Sequence, residues 1–518
     1  MIGIPRFFPQ PLKKHCPLLA SASIFAYKNA MFRSFASSLI TFIAILLFAF
    51  MFFVLWSGSD GIKFTRVAFE GDRSTESVLE EFRRASMAST EASMKKDEPD
   101  APETVANNSG DGAAVVVWIN ISGFRGDYLE KSETPFFDKL KTDGSETNKM
   151  RPSFPCVTFP SHATMATGVT PDKHGIVSDR IRLTTGEIVD KPLDGALLLA
   201  EPIWKTATRQ GIRTLVHDWP LSQKQSGEHA AASFLDSYDP ESSDEVRLNK
   251  ALEQWRASSA GDPPADGAAS AGGEKLRLIM LRLEDIARQG LVHGPRADET
   301  FAAVAATDKA LQTFFDTVKA EWASLAPPNA NLVIFITTDH GLAELDKNVN
   351  ITHLLGDEMM KNADIVAHDS IANLFFKDLP ENEGEKKIFT DKFDNELSKR
   401  IYFRTVKKEE LPAEWSYLHP ERTGDRVLVL KTGYAFADEK AEEPVFDPGD
   451  GPGFFGGFGY PVEESIRMSG QIFLAGYPNS PLSGSLDVVG QLSFHATVCK
   501  MLGIEPAPGA ATETLPVN

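Results

Sequence analysis

Three short apolar runs constrain the fold more than anything else in the chain: AAVVVWINI at 113–121, LRLIMLRL at 276–283 and NLVIFITTDHG from Asn331. Each is the length of a strand. Each is apolar at successive positions rather than alternate ones, as expected for a strand buried on both faces. Helical stretches lie between them, among them SHATMATG, EPIWKTATRQG and ETFAAVAATDKALQTFFDTVKAEW. Strands alternating with helices predict an α/β fold, with a mostly parallel central sheet and helices on both faces. In such folds ligand chemistry gathers outside the C-terminal ends of the strands. Ser122, Thr158 and Asp339 fall at predicted strand ends or in the turns that follow.

The folded domain is expected over 111–512, with 513–518 as a tail. The 518 residues are 42% hydrophobic and 24% charged, enough for a large core. The formal net charge of −19 argues against a nucleic-acid partner. The first 33 residues run against that balance, with Arg6, Lys13, Lys14, Lys28 and Arg33 and no acid. They precede a charge-free stretch, Ser34–Ser59, whose centre is LITFIAILLFAFMFFVLW. Residues 34–58 are long and apolar enough to span a membrane, with Trp56 at one interface. Basic residues before the span and acidic ones after it place the N-terminus in the cytosol and the large domain in the lumen or outside the cell. An acid-free N-terminus rich in Arg, Lys and Ser also suits a mitochondrial membrane, the alternative address. Residues 59–110 read as a polar stalk. Asn107 and Asn350 begin glycosylation sequons, whereas the sequon at Asn120 ends a core strand and is discounted.

Two segments read as insertions: a Gly, Ala and Pro-rich loop at 258–274, and DPGDGPGFFGGFGY at 447–460, taken as a surface loop. Cys16, Cys156 and Cys499 do not form a disulfide framework, although a Cys156–Cys499 bridge is conceivable.

The run RPSFPCVTFPSHATMATGVTPDKHGIVSD, Arg151–Asp179, presents a Thr hydroxyl at the start of a helical segment. With SGFRGDYL before it, EPIWKTATRQG and DWP after it and TTDHG later, it resembles the nucleotide pyrophosphatase/phosphodiesterase family of the alkaline phosphatase superfamily. The correspondence runs in order from about Ala113 to about Pro508. The resemblance implies an alkaline-phosphatase-like fold and a nucleophile, Thr158, activated by two zinc ions. It places Thr158, Asp339 and His340 at one metal, with Ser122 where that site has an Asp. The second metal's ligands fall on Ala287, Leu291 and Phe458, none of which binds zinc. The Asn that holds the phosphoryl oxygen falls on Asp179. A slipped register would offer Asp285 and His293 instead, but at twice the motif's spacing.

The resemblance therefore implies a membrane-anchored phosphodiesterase-like protein holding no zinc or at most one. It would bind a phosphodiester, nucleotide or protein partner, or serve as a scaffold, without effective catalysis. The alternative is an active enzyme working through a phospho-Thr158 intermediate. Other polar residues take ordinary parts in this reading. His162 and His174 are structural hydrogen-bonders, His217 and His495 are core or surface groups, Arg125 and Arg151 are packing or ion-pair residues, and Cys156 is a small buried side chain.

Overall fold

The computed structural model describes residues 112–517, apart from 228, 236, 261–273, 438–442, 451–452 and 483. The expected membrane span at 34–58, the stalk and Asn107 lie outside these residues. Among the described residues no helix is long and apolar enough to cross a membrane.

In chain order the elements that build the site are β1 (Ala114–Ile121), α1 (Pro135–Asp143), β2 (Ser145–Arg151), α2 (Thr158–Thr167), α3 (Ile203–Arg209), β3 (Thr214–His217), β4 (Ser233–Phe234), α4 (Asp244–Ala260), β5 (Leu278–Leu283), α5 (Asp285–His293) and α6 (Asp298–Ala320). They continue with β6 (Asn331–Thr337), β7 (Ala363–His368), β8 (Ile371–Phe376), α7 (Glu383–Ser398), β9 (Phe403–Lys407), β10 (Arg426–Leu430), β11 (Gly470–Tyr477) and α8 (Ser493–Leu502). A nine-stranded sheet runs in the order Gly484–Ser485, β2, β11, β6, β1, β5, β3, β4, with Val489–Gly490 also on β2. From β6 to β4 every neighbouring pair is parallel. Only β11 is reversed, antiparallel to both β6 and β2, so the sheet is mixed.

The alternation of β1 shows why its whole run is apolar. Val115, Val117, Ile119 and Ile121 enter one core layer with Phe137 of α1, Trp255 of α4 and Phe315 of α6. Val116 and Trp118 enter the opposite layer with Met165 of α2, Trp204 of α3 and Phe494 of α8. Successive strand residues face opposite ways, so a strand covered by helices on both sides needs apolar groups at both parities. Trp118 is fully buried yet keeps its indole N–H satisfied by Thr337 Oγ1 at 2.9 Å. Burying a side chain of this size stabilises by about 3 kcal/mol. The C-terminal residues read as a tail lie along this second layer, with Leu515 and Val517 buried.

A second, antiparallel sheet, β7–β8–β10–β9, packs its own core against α7. Its β7–β8 turn brings His368, Asp369 and Ser370 toward the strand ends of the main sheet.

Three sequence expectations are corrected. Cys156 and Cys499 are both free and buried, and no bridge joins them. Asn350 is buried and caps the helix Ile351–Leu355 by accepting from the His353 N–H at 3.0 Å, so it is not the exposed side chain expected of a glycan acceptor. The Gly-rich loop at 447–460 is not wholly a surface loop. Gly456–Gly457 pair with Ala343–Glu344, and Phe458 and Tyr460 are buried.

Candidate functional site at the strand ends

The crevice lies beyond the C-terminal ends of β1, β5 and β6. Ser122 directly follows β1, and Asp339 and His340 follow β6 by a short turn. Thr158 is the first residue of α2, whose layer packs on the same face of the sheet as Trp118. The chain reaches Thr158 through an extended Val157 and turns at once into the helix, which aims the hydroxyl at the strand ends.

Thr158, Asp339 and His340 are brought together. Thr158 Oγ1 lies 3.1 Å from His340 Nε2, and His340 Nε2 lies 3.5 Å from Asp339 Oδ2. His340 Nδ1 is 2.8 Å from the Gly341 carbonyl, which can only accept, so in the neutral ring Nε2 accepts from the Thr158 hydroxyl. Asp339 Oδ1 accepts from the N–H groups of Gly123 (3.0 Å) and His340 (2.8 Å). Asp339 Oδ2 is buried with no hydrogen-bond partner. Burial raises the Asp339 pKa, but His340, His162, Arg282 and the Gly123 N–H outweigh it and hold the carboxyl below its ordinary value. His162 donates from Nδ1 to the Thr158 carbonyl at 2.7 Å, and burial lowers its pKa to about 3, so it is neutral.

Ser122 meets a residue that the sequence reading passed over. Arg282 of β5 donates from Nε to Ser122 Oγ at 3.1 Å, and its Nη1 lies 2.7 Å from Glu284 Oε1. The available signal was a charged residue inside the doubly buried run LRLIMLRL. Arg282 has the parity of Leu278 and Met280, so it points to the α2 face.

Asp179 closes the crevice from the side of α2. Its Oδ1 accepts from the Phe159 N–H at 2.7 Å, and His368 Nδ1 lies 3.8 Å from Oδ2. Burial raises the Asp179 pKa to about 6, against the opposing pull of the Phe159 N–H, His340, Arg282 and Lys191. His368 and the buried Asp369 also escaped notice, because their sheet contributes no motif near them.

On the other side the crevice is apolar. The Phe458 ring stacks on His340 with centroids 4.1 Å apart, and the Phe458 N–H donates to Asp369 Oδ1 at 2.7 Å. Gly459 adopts φ +90°, and a Cβ there would lie 2.6 Å from Ser370 Oγ, so only glycine lets the loop deliver Phe458 to this place. Leu291 packs with Leu342, Phe458 and Tyr460. Ala287 sits under the turn at Gly123, where an added Cβ would come within 3.0 Å of it.

The remaining sequence candidates do not join the site. Asp285 accepts from the Asp244 N–H and pairs with Arg288, and His293 is exposed. His174 bonds Thr164 Oγ1 and the Ile176 N–H, and His495 bonds the Ala166 carbonyl and the Ala507 N–H. His217 meets Gln254 at 2.9 Å. Arg125 pairs with Asp127 and Arg151 with Glu463. Burial pushes the Cys156 thiol far above its usual range, which removes it as a nucleophile.

A zinc-type ion takes about four donors at roughly 2.0–2.3 Å, which puts neighbouring donors about 3.3 Å apart. The Thr158–His340 and His340–Asp339 spacings are close to this. Ser122, where the resemblance places an Asp, already accepts from a guanidinium. Among the described residues no three His, Cys, Asp or Glu side chains are grouped to hold a metal ion.

Mouse ectonucleotide pyrophosphatase/phosphodiesterase family member 1 is 24% identical over 413 residues, covering 75% of this chain and 41% of that protein. A venom phosphodiesterase of Crotalus durissus collilineatus is 25% identical over 414 residues, covering 77% and 45% respectively. The chain thus spans less than half the length of these relatives. The structure of murine ectonucleotide pyrophosphatase/phosphodiesterase 5 superposes with a TM-score of 0.61 at 22% identity, covering 78% of this chain and 97% of that one, which supports the shared α/β fold. The profile described as type I phosphodiesterase/nucleotide pyrophosphatase matches residues 116–454, well over half of the chain, and the protein belongs to that family.

Proposed function

We propose that this protein keeps the phosphodiesterase fold with a degenerate two-metal centre and acts by binding a ligand or partner, or as a scaffold, rather than by hydrolysis. The observation that carries this reading is the Phe458–His340 stack. With Leu291 and Ala287 it puts apolar side chains at all three positions that would ligate the second metal. A two-metal displacement needs charge on both the attacking and the leaving oxygen. One set of three donors, Thr158, Asp339 and His340, supplies at most a single site. Asp179 adds a carboxylate on the N–H at the start of α2, where it opposes an anionic phosphoryl group. The proposal includes anchoring through residues 34–58, with the domain lumenal or extracellular and a mitochondrial membrane as the alternative.

The hydroxyl-to-imidazole contact at 3.1 Å favours a second reading, residual hydrolysis through a phospho-Thr158 intermediate. Hydrolysis of a nitrophenyl nucleotide ester by the full-length chain separates the two. The expected rates for wild type and Thr158→Ala are indistinguishable. Turnover that disappears in the variant overturns the binding reading.

A further inference from the structure

Arg282 stands out once the crevice is considered as a balance of charge. Its guanidinium is held from two sides, by Ser122 Oγ at 3.1 Å and by Glu284 Oε1 at 2.7 Å. Glu284 is itself fixed, because Oε2 accepts from the Tyr238 hydroxyl at 2.6 Å and lies 3.7 Å from Arg247. Arg247 is buried and continues the alternation to the buried Asp218. A row of alternating charges therefore links Asp218, Arg247, Glu284 and Arg282, and ends at Ser122. Asp339 is fully buried and has one oxygen without a donor. A buried carboxylate needs a nearby cation or donors. Arg282, which is always charged, holds Ser122, and the N–H of the next residue, Gly123, donates to Asp339 Oδ1 at 3.0 Å.

We propose that the Arg282 guanidinium is the resident cation of this crevice, standing in for a divalent metal. It holds Ser122, balances Asp339, and makes the three donors Thr158, Asp339 and His340 refuse zinc. Two features converge on this. The position where the resemblance places a carboxylate ligand is Ser122, whose hydroxyl oxygen accepts from the guanidinium. The guanidinium is also anchored by a network extending away from the site, so a metal cannot displace it without breaking the Glu284 pair. This inference rests on the proposed degenerate centre and narrows it from at most one metal to none.

The test is metal binding by the full-length protein, with zinc as the probe. Wild type, equilibrated with zinc and desalted, is expected to carry no stoichiometric zinc and to melt at the same temperature with and without chelator. The double variant Ser122→Asp/Arg282→Leu, which returns a carboxylate and removes the guanidinium, is expected to take up one zinc per chain and to show chelator-sensitive melting. One zinc per wild-type chain overturns the proposal, and so does a folded double variant that takes up none. If that variant does not fold, Arg282→Gln is measured in the same way and is expected to gain zinc. If neither variant folds, the wild-type measurement decides alone. The hydrolysis assay stays independent. A zinc-bound but inactive wild type sinks this inference and leaves the binding reading standing. A zinc-free wild type with Thr158-dependent turnover does the reverse.

Discussion

The two halves of the crevice meet at His340, yet they are chemically opposite. The half around Thr158, Asp339 and His340 is polar. It holds two buried atoms with no hydrogen-bond partner, Asp339 Oδ2 and His162 Nε2. The half around Phe458, Leu291 and Ala287 is closed by packing, and His340 forms the seam between them by stacking on Phe458. One crevice can thus be held together by two different kinds of interaction. In the polar half, charges are held against a desolvation cost. In the apolar half, burial itself is favourable.

The largest expected effect is on the apolar half. Phe458→Ala removes a buried ring and its stack on His340, and it should cost ~3–5 kcal/mol of unfolding free energy in denaturant titration. A loss below about 1 kcal/mol would mean that packing does not hold this half.

The polar half should respond in the opposite sense. Asp179 has a folded pKa raised from 3.8 to about 6 by burial. A raised carboxyl pKa favours the fold fully below the unfolded value, and that contribution is lost as pH rises through about 6. Asp179→Asn keeps an oxygen for the Phe159 N–H without the charge. It should therefore be more stable than wild type at pH 7, by ~3 kcal/mol for a shift of about two units. The gap should close as pH falls from about 6 to about 4. Asp244, also raised to about 6 by burial, gives a slope of the same sign in both proteins, so the difference between the curves is the quantity to read. Curves that stay parallel across this window would show that the Asp179 carboxylate bears no burial cost.

The smallest effect is expected outside both halves. Lys139 and Asp143 pair at 2.5 Å on the exposed face of α1 with side chains 61% and 46% accessible, so Lys139→Ala should change stability by less than about 0.5 kcal/mol. A larger loss would show that surface charge, rather than the crevice, dominates the response of this acidic chain.

Much of the fold was legible because β1, β5 and β6 are apolar at both parities, a pattern that only a doubly covered strand satisfies. The ordered block around Thr158, with TTDHG later, likewise pointed to three residues that the fold brings together, Thr158, Asp339 and His340. Arg282, His368 and Asp369 were not legible. Arg282 reads as an interruption in a strand until its partners Ser122 and Glu284 are placed in space, and the other two come from a sheet whose turn reaches the crevice only after folding. The burial of Phe458 was hidden as well, because GFFGGFGY has the composition of a surface loop, and its packing depends on Gly459 and on distant Ser370 and Asp369.

Residue order alone carries the strand-and-helix alternation, the family and the lack of metal-donor atoms on the side chains of Ala287, Leu291 and Phe458. Those follow from residue type and order, which fix local periodicity and the presence or absence of donor atoms. Only the folded arrangement sets a guanidinium beside Ser122, a carboxylate on the first turn of α2 and an aromatic ring on His340. Their effect depends on distance and burial between groups far apart in the chain, and no local pattern encodes these.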